Sequence, residues 1–503
     1  MVENAPVLIP VIYMAACMLI SLTRLRYRWL AYPMALAATV LASATALGIL
    51  YHVTRHGSFN YYFGGWVPPI GIEYVIDPLS AFVLTVINIV AGLVLYHSLN
   101  VNRLELGRKV VPYYAVAMLL MLGLNGIVLT GDFFNLFVFL EISSLASYGL
   151  IAVGERGSAF AAFRYLILGT VGASFYLLGL GFLHLNTGSL NMADLAAIIP
   201  NLEFGKDPAI VIALVMMTVG ICIKMAIFPL HGWLPDAYTL APSTSSALIA
   251  PIGTKVASYI LIRTLFFVYG VDLVTEGIPV TTILGWLSAI GIIYGSILAI
   301  AQSELKRMLA YSSIAQIGYI GLGISMANPL GFIGAVLHVL NHAFMKACLF
   351  LVAANLRTQV GHSDISRFDD SYRVKMPWTM AAFTTAAISM VGLPPLAGFF
   401  SKWYLALATI ENSQWVFLAV ILISSLLNAV YFFRVIEKVY MKSPSGVADD
   451  AGAGNDPAQF GSGEPTSSMV IPVLVFAAAL LLIGIFNALI VTTLIQPMMP
   501  PGM

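Results

Sequence analysis

Residues 220–259 read GICIKMAIFPLHGWLPDAYTLAPSTSSALIAPIGTKVASY, and the fold turns on how this stretch is read. Lys224 stands inside an apolar run that breaks at Pro229 and Pro235, and Lys255 lies in the middle of the next apolar run. An ammonium in hydrocarbon costs about 2.5–3.5 kcal/mol on insertion scales, so such a residue faces a partner or a water-filled path. Two of them beside a proline-broken helix form the pattern of an ion pathway near the bilayer midplane.

The rest of the chain agrees. Of 503 residues, 60% are hydrophobic and 9% charged, against about 25% charged in soluble domains. A net charge of +1 argues against nucleic acid as a partner. Cys17, Cys222 and Cys348 sit in apolar runs without CxxC spacing, so metal, iron–sulfur and disulfide readings fail and no cofactor is expected. The opening MVENAPVLIP has no basic region before its apolar run, and the first span is read as retained.

Apolar runs long enough to cross about 30 Å of hydrocarbon number about fourteen. They lie near 6–22, 29–50, 78–97, 111–130, 133–153, 159–185, 208–229, 242–269, 279–302, 305–325, 329–354, 378–409, 414–437 and 468–492. Basic residues gather in alternate loops: Arg24, Arg26 and Arg28; Arg103, Arg108 and Lys109; Lys306 and Arg307; Arg357, Arg367, Arg373 and Lys375; Arg434, Lys438 and Lys442. By the positive-inside rule these loops are cytoplasmic, which puts both termini on the outer side of the cell membrane. The loop at 443–467 is rich in Gly, Ala, Ser and Pro and is acidic, the composition of a disordered cytoplasmic linker. Residues 61–79 carry Gly-Gly and Pro-Pro turn signals ahead of the third span.

The layout repeats. Spans four to eight hold an acid-bearing helix, a broken helix and a following lysine; spans nine to thirteen hold a break at Gly392-Leu-Pro-Pro395, with Lys402 beyond it. A unit of five spans is odd, so its second copy sits upside down in the membrane. The expected architecture is an all-α polytopic membrane protein with two inverted five-helix repeats and broken helices in spans 7 and 12. Its parts are three helices and an outer loop at 1–110, units at 111–269 and 270–442, the linker at 443–467, and a last helix at 468–503.

Intramembrane ionisable residues are functional by default. Glu141, in DFFNLFVFLEISSLASYGL, sits about a third of the way into the fifth span; opposite Lys224, each would hold the other's charge. A purely structural pair that fixes helix register is the plainer alternative. Burial disfavours the charged form of a lysine, which makes Lys224 and Lys255 the leading proton carriers. His231 lies in the broken stretch and suits a relay between them, or else satisfies backbone groups freed by the prolines. In GAVLHVLNHAFMKACLFLVAANL, His338, His342 and Lys346 recur at four-residue spacing on one helix face, a wire-like stripe; no HExxH accompanies them, so zinc chemistry is not expected. Ser312, Ser313, Gln316 and Tyr319 can bind water or pack helices. Lys402, after the break at Pro394 and Pro395, is the exit-side counterpart of the lysine pair. Arg164 and Arg263 read as snorkelling or paired residues, Asp77 and Asp132 as helix caps.

Together, GGWVPPIGIEYVIDPLS, FNLFVFLEISSLASYGL, KMAIFPLHGWLPDAY, LKRMLAYSSIAQIGY, LNHAFMKACLFLVAAN and GLPPLAGFFSKW resemble the antiporter-like subunits shared by respiratory complex I and Mrp-type sodium/proton antiporters, most nearly the Mrp D-type branch. The likeness runs from about Gly64 to Lys438. It implies fourteen spans with two inverted units, a Glu141–Lys224 ion pair, Lys255 as central lysine, His338 in an eleventh-span relay and Lys402 as terminal residue. Lys402 is a lysine where one complex I paralogue carries glutamate, and Gln316 stands where some carry histidine; both lean toward the Mrp D-type branch. The function so implied is proton transport within a multi-subunit sodium or potassium/proton antiporter. Its partners would be other membrane subunits, the exchanged ions and the bilayer. The rival class is a subunit of a proton-pumping quinone reductase or membrane hydrogenase. A weaker third reading is a membrane subunit that energises inorganic-carbon uptake with a soluble zinc partner.

Overall fold

The computed structural model describes residues 4–24, 26–202, 208–441 and 463–503; most of the expected linker lies outside them. The chain is nearly all helical. It opens with α1 (Ala5–Thr23) and α2 (Ala31–His56), then a short hairpin of β1 (Phe59–Tyr62) and β2 (Glu73–Ile76). There follow α3 (Pro78–Leu106), α4 (Val110–Leu129), α5 (Phe133–Ala152), α6 (Ser158–Thr187) and the short α7 (Met192–Ile198). Next come α8 (Pro208–Met225), α9 (Leu234–Leu240), α10 (Ser243–Ile262), α11 (Val280–Ile300), α12 (Leu305–Ser325) and α13 (Pro329–Val360). The chain continues through α14 (Ser371–Lys375), α15 (Pro377–Val391), α16 (Ala397–Glu411), α17 (Trp415–Tyr440), α18 (Ser467–Ile485) and α19 (Asn487–Ile490). Among the described residues, eleven helical segments are long and apolar enough to cross a membrane, so the protein is multi-pass.

Two helices form the centre. In the segments led by α10 and α13, 94% of the most apolar window is buried, against 33% in α1, α2 and α17. A helix apolar all round and enclosed on every side belongs to the interior of a bundle. Polar groups on such helices must therefore find partners inside the protein. These are the helices that carry Lys255, His338, His342 and Lys346.

Both expected breaks are present. Helix α8 ends at Met225, four residues before Pro229, because the proline ring disfavours helix in the residue before it and removes a donor. The chain runs irregularly through 226–233, where Trp233 Nε1 donates to the Ile223 carbonyl at 2.9 Å, satisfying an end group of α8. Pro235 does not break the helix as the sequence suggests. It lies in the first turn of α9, where a missing N–H is harmless, and so starts that helix. The second break spans 392–396 and holds Pro394 and Pro395.

The Gly-Gly and Pro-Pro turn signals lie between the strands of the antiparallel hairpin, paired Phe59 to Ile76 and Tyr62 to Glu73. Glu73 is buried there and accepts from the Asn60 amide at 3.0 Å and the Asn191 amide at 2.6 Å.

Candidate functional site

The site begins where α5, α6 and α8 meet. Lys224 Nζ donates to Ser144 Oγ at 2.6 Å and to Tyr148 Oη at 3.4 Å, and lies 3.9 Å from Glu141 Oε1. Spacings of three and four residues put Glu141, Ser144 and Tyr148 on one face of α5, which is why one ammonium meets all three. Gly169 of α6 makes the approach possible: a Cβ there would lie 1.9 Å from Tyr148 Oη and 3.3 Å from Lys224 Nζ. Beyond Lys224 a cavity of about 40 Å³ is lined by Ser144, Ser147, Trp233, Tyr238 and Thr254 among others. A water needs roughly 10–15 Å³ of such space, so the cavity has room for a small number of them.

Thr254 leads to the second lysine. Lys255 Nζ, 1% exposed as a residue, donates to the Ala250 carbonyl at 2.7 Å and Thr254 Oγ1 at 3.3 Å. It stands within electrostatic reach of His342 and Lys346 on α13. Lys346 Nζ donates to the Leu309 carbonyl at 2.7 Å and to Ser312 Oγ. Neither ring nitrogen of His342 has a hydrogen-bond partner, and its ring stacks on that of His338 with centroids 5.9 Å apart. An unpartnered buried polar atom costs about 1–3 kcal/mol, so the His342 ring is held there at a cost in stability.

His338 closes the line. Its Nδ1 lies 2.9 Å from Ser401 Oγ and its Nε2 3.0 Å from Gln316 Oε1. Next to Ser401, Lys402 turns back across the second break and donates to the carbonyls of Met390 and Val391, each at 3.0 Å, at the end of α15. A cation at a helix C-terminus meets exposed carbonyl dipoles, so Lys402 staples α16 to α15. Gly392, at φ +91°, sits below the lysine: a Cβ there would come within 3.0 Å of Lys402 Cδ.

Not every residue singled out in the sequence joins this line. His231 packs its ring against Phe228 and Tyr294, at centroid distances of 5.5 and 5.1 Å, and takes no part in the hydrogen bonds of Lys224 or Lys255. Asp77 does cap α3, through Ser80 N at 2.8 Å, but it also accepts from both terminal guanidinium nitrogens of Arg263, Nη1 at 2.5 Å and Nη2 at 2.9 Å. Arg263 is thus a paired residue and not a snorkelling one. Arg164 pairs with Asp236 at 2.7 Å. Asp132 caps α5 through Asn135 N at 2.7 Å.

Two residues escaped the sequence reading. Lys306 reads as a loop cation, yet it is 1% exposed and donates to the Ala241 carbonyl at 2.6 Å. Glu105 binds the first residue of α10, accepting from Ser243 N at 2.8 Å and Ser243 Oγ at 2.5 Å. Neither has a local signal, because the partner in each case lies far along the chain.

A bundle of apolar helices with two irregular breaks, around a line of one glutamate, four lysines and two histidines, defines a polytopic membrane protein with an ionisable interior. Residues 130–428 match the family model described as NADH:quinone oxidoreductase/Mrp antiporter, TM, and the chain belongs to that family. It is an antiporter-like membrane subunit of the Mrp or complex I type. It is 45% identical to the NADH-quinone oxidoreductase subunit N of Desulforudis audaxviator over 508 aligned positions, 99% of each chain. Its identity to the D subunit of the Na(+)/H(+) antiporter of Alkalihalophilus pseudofirmus is 32% over 384 positions, 76% of each chain. Among solved structures it is similar to a chain of the membrane-bound sulfane sulfur reductase, an archaeal respiratory membrane complex, with TM-score 0.88 and 28% identity, covering 98% of this chain and 96% of that one.

Proposed function

We propose that this chain carries protons across the cell membrane as one subunit of a multi-subunit, redox-driven complex. The observation that carries the reading is the line of ionisable side chains from Glu141 through Lys224, Lys255, His342, Lys346 and His338 to Lys402. His231 stands beside it, at the first break. In the mechanism, a proton arriving near Lys224 and Lys255 loosens the Glu141–Lys224 pair. At 3.9 Å and an effective dielectric constant of about 20, that pair is worth about 4 kcal/mol before solvent screening. Repulsion between like charges then drives a proton past His342 and His338 to Lys402 and out.

The identity of 45% along 99% of both chains supports the oxidoreductase setting. The second reading, a subunit of a sodium or potassium/proton antiporter, is the one the sequence motifs favour, and the 32% identity to the antiporter's D subunit supports it over a shorter span. Nothing in the reading asks this chain itself to bind a redox group; electron transfer would belong to partner subunits.

The same proposal assigns fourteen crossings. The broken pairs α8/α9 and α15/α16 each count once, and α7, α14 and α19 do not cross. It takes 1–110 as an N-terminal three-helix part, 111–269 and 270–442 as inverted five-helix units, and 468–503 as a last helix, with both termini outside. The two breaks, each with a lysine beside it, support the inverted repeat.

Everted vesicles carrying the whole complex test the driver. An electron donor that builds a pH gradient, with sodium and potassium inert, favours the redox reading; sodium or potassium collapsing an imposed gradient, with donors inert, favours the antiporter. A donor-built gradient, or a cation-driven collapse, that persists at the wild-type rate with Lys224→Ala in place rules out the proton line itself.

A further inference from the structure

Side chains of helix α12 touch both the first break and the far end of the proton line, and the helix falls outside the eleven segments that, among the described residues, are apolar enough to cross a membrane. At its start, Lys306 Nζ donates to the Ala241 carbonyl at 2.6 Å, at the C-terminal end of α9, and Arg307 Nη1 lies 3.4 Å from Asp236 Oδ1 in the first turn of α9. Lys306 has 1% of its surface exposed, so this ammonium is committed to the α9 end. Further along, the helix receives Lys346 through Ser312 and holds His338 through Gln316 at 3.0 Å. Its Tyr319 ring lies 4.9 Å from Lys402 Nζ and 5.5 Å from the His338 ring. Ser312, Gln316 and Tyr319 are three or four residues apart and share one face. From Lys306 to Tyr319 an α-helix extends about 20 Å.

We propose that α12 is a coupling rod: it transmits movement of the α9 break to His338, Lys346 and Lys402, and Lys306 is the positioning residue that fastens the rod to the break. The proposal rests on the proton-carrier reading above. Its physical basis is that α9 is a short half-helix next to irregular backbone. A packed straight helix moves as a unit, by small shear against its neighbours. The rod grips α9 at one end and α13 and α16 further along, so a shift at Ala241 is passed along it toward Gln316. Loss of the Lys306 ammonium leaves the Ala241 carbonyl unpaired and only the half-exposed Arg307–Asp236 pair, weak in solvent, as a polar link to α9, while the residues of the proton line itself are unchanged.

Coupling is measured by a double-mutant cycle, not by position. In the assembled complex in membrane vesicles, amide hydrogen exchange across 226–242 is followed with and without His338→Gln, in the wild-type and the Lys306→Met backgrounds. Proton translocation is read in parallel. Coupling energies along such networks correspond to about 2- to 30-fold effects. The expected result is that His338→Gln changes exchange at 226–242 by about threefold or more with Lys306 present, and leaves it unchanged with Lys306→Met. Translocation should fall about tenfold or more in Lys306→Met, and Lys306→Arg should restore most of it, since a guanidinium can reach the same carbonyl. An equal response to His338→Gln in both backgrounds overturns the proposal, as does translocation within about twofold of wild type in Lys306→Met. If Lys306→Met does not assemble, Gln316→Ala takes its place, with the same two outcomes. Lys255→Ala is run beside them. If it abolishes translocation while Lys306→Met does not, only the rod fails; if neither has an effect, the proton-carrier reading fails with it.

Discussion

The pair between Asp77 and Arg263 joins the start of α3 to the end of α10, and removing either side should be felt as lost stability. Asp77 performs two tasks there. It caps α3 by accepting from Ser80 N at 2.8 Å, and it receives Arg263 at 2.5 and 2.9 Å. The side chains are 15% and 9% exposed, so the ion pair is enclosed. Stranding one member of a buried pair costs about 3–5 kcal/mol, and losing an N-cap about 1 kcal/mol. Arg263 keeps Tyr259 Oη at 3.0 Å and sits 4.6 Å from the Phe267 ring, which places the pair loss at the lower end of that range. Asp77→Ala should therefore cost about 4 kcal/mol, the sum of about 3 and about 1. Asp77→Asn keeps the cap and one acceptor and should be milder. Combining Asp77→Asn with Arg263→Met removes the stranded charge and should recover most of the loss, because apolar replacement of a buried pair is often neutral. A large membrane protein unfolds irreversibly, so the readout is the thermal-inactivation half-life of the purified complex, followed by gel filtration. About 4 kcal/mol carried wholly on the unfolding rate shortens it up to about a thousandfold. Equal half-lives for wild type and Asp77→Ala, or a double variant no better than the single, would refute the reasoning.

Gly169→Ala should reduce proton translocation without preventing assembly, because a Cβ 1.9 Å from Tyr148 Oη forces that hydroxyl away from Lys224; Gly48→Ala in α2, where nothing lies within 4 Å, should be neutral or slightly stabilising. Vesicle flux with the two variants at matched expression checks both. Glu464 accepts from Trp378 N at 2.6 Å and Thr379 N at 3.0 Å at the start of α15, so Glu464→Ala should lower stability by about 1 kcal/mol, measured as a reduced apparent Tm. The membrane topology is tested with impermeant thiol reagents: Ser58→Cys should label in intact cells, and Arg108→Cys only in everted vesicles. The reverse pattern would invert the assigned orientation.

The parts legible in the sequence are those whose signal is local. Lys224 in an apolar run, the break ahead of Pro229 and the stripe of His338, His342 and Lys346 follow from period, proline chemistry and the cost of charge in hydrocarbon. Long-range pairing is not local. Asp77 and Arg263 stand 186 residues apart; the sequence reads one as a cap and the other as snorkelling or paired, and nothing local says which residue the partner is. Lys306 followed by Arg307 has the look of a cytoplasmic loop. Only the enclosure of α12 against α9 turns the first of them into a buried contact. Pro235 shows the converse: two prolines six residues apart read as two breaks, yet the second opens a helix because the first turn needs no donor at that position. The hairpin at 59–76 is signalled only by its turn residues, since each strand has four residues, too few for a period to register.

The central claim is that protons cross this chain through its buried lysines, and Lys255 is the most direct place to test it. The measurement is the initial rate of the driver-induced pH change in everted vesicles (acidification on adding an electron donor, or collapse of an imposed gradient on adding sodium or potassium), read with a pH-sensitive dye, at equal amounts of assembled complex with Lys255, Lys255→Arg or Lys255→Ala. A rate lost in Lys255→Ala and partly kept in Lys255→Arg, with whichever driver acts on the wild-type complex, is the predicted result. A full rate in the Lys255→Ala complex would contradict the account.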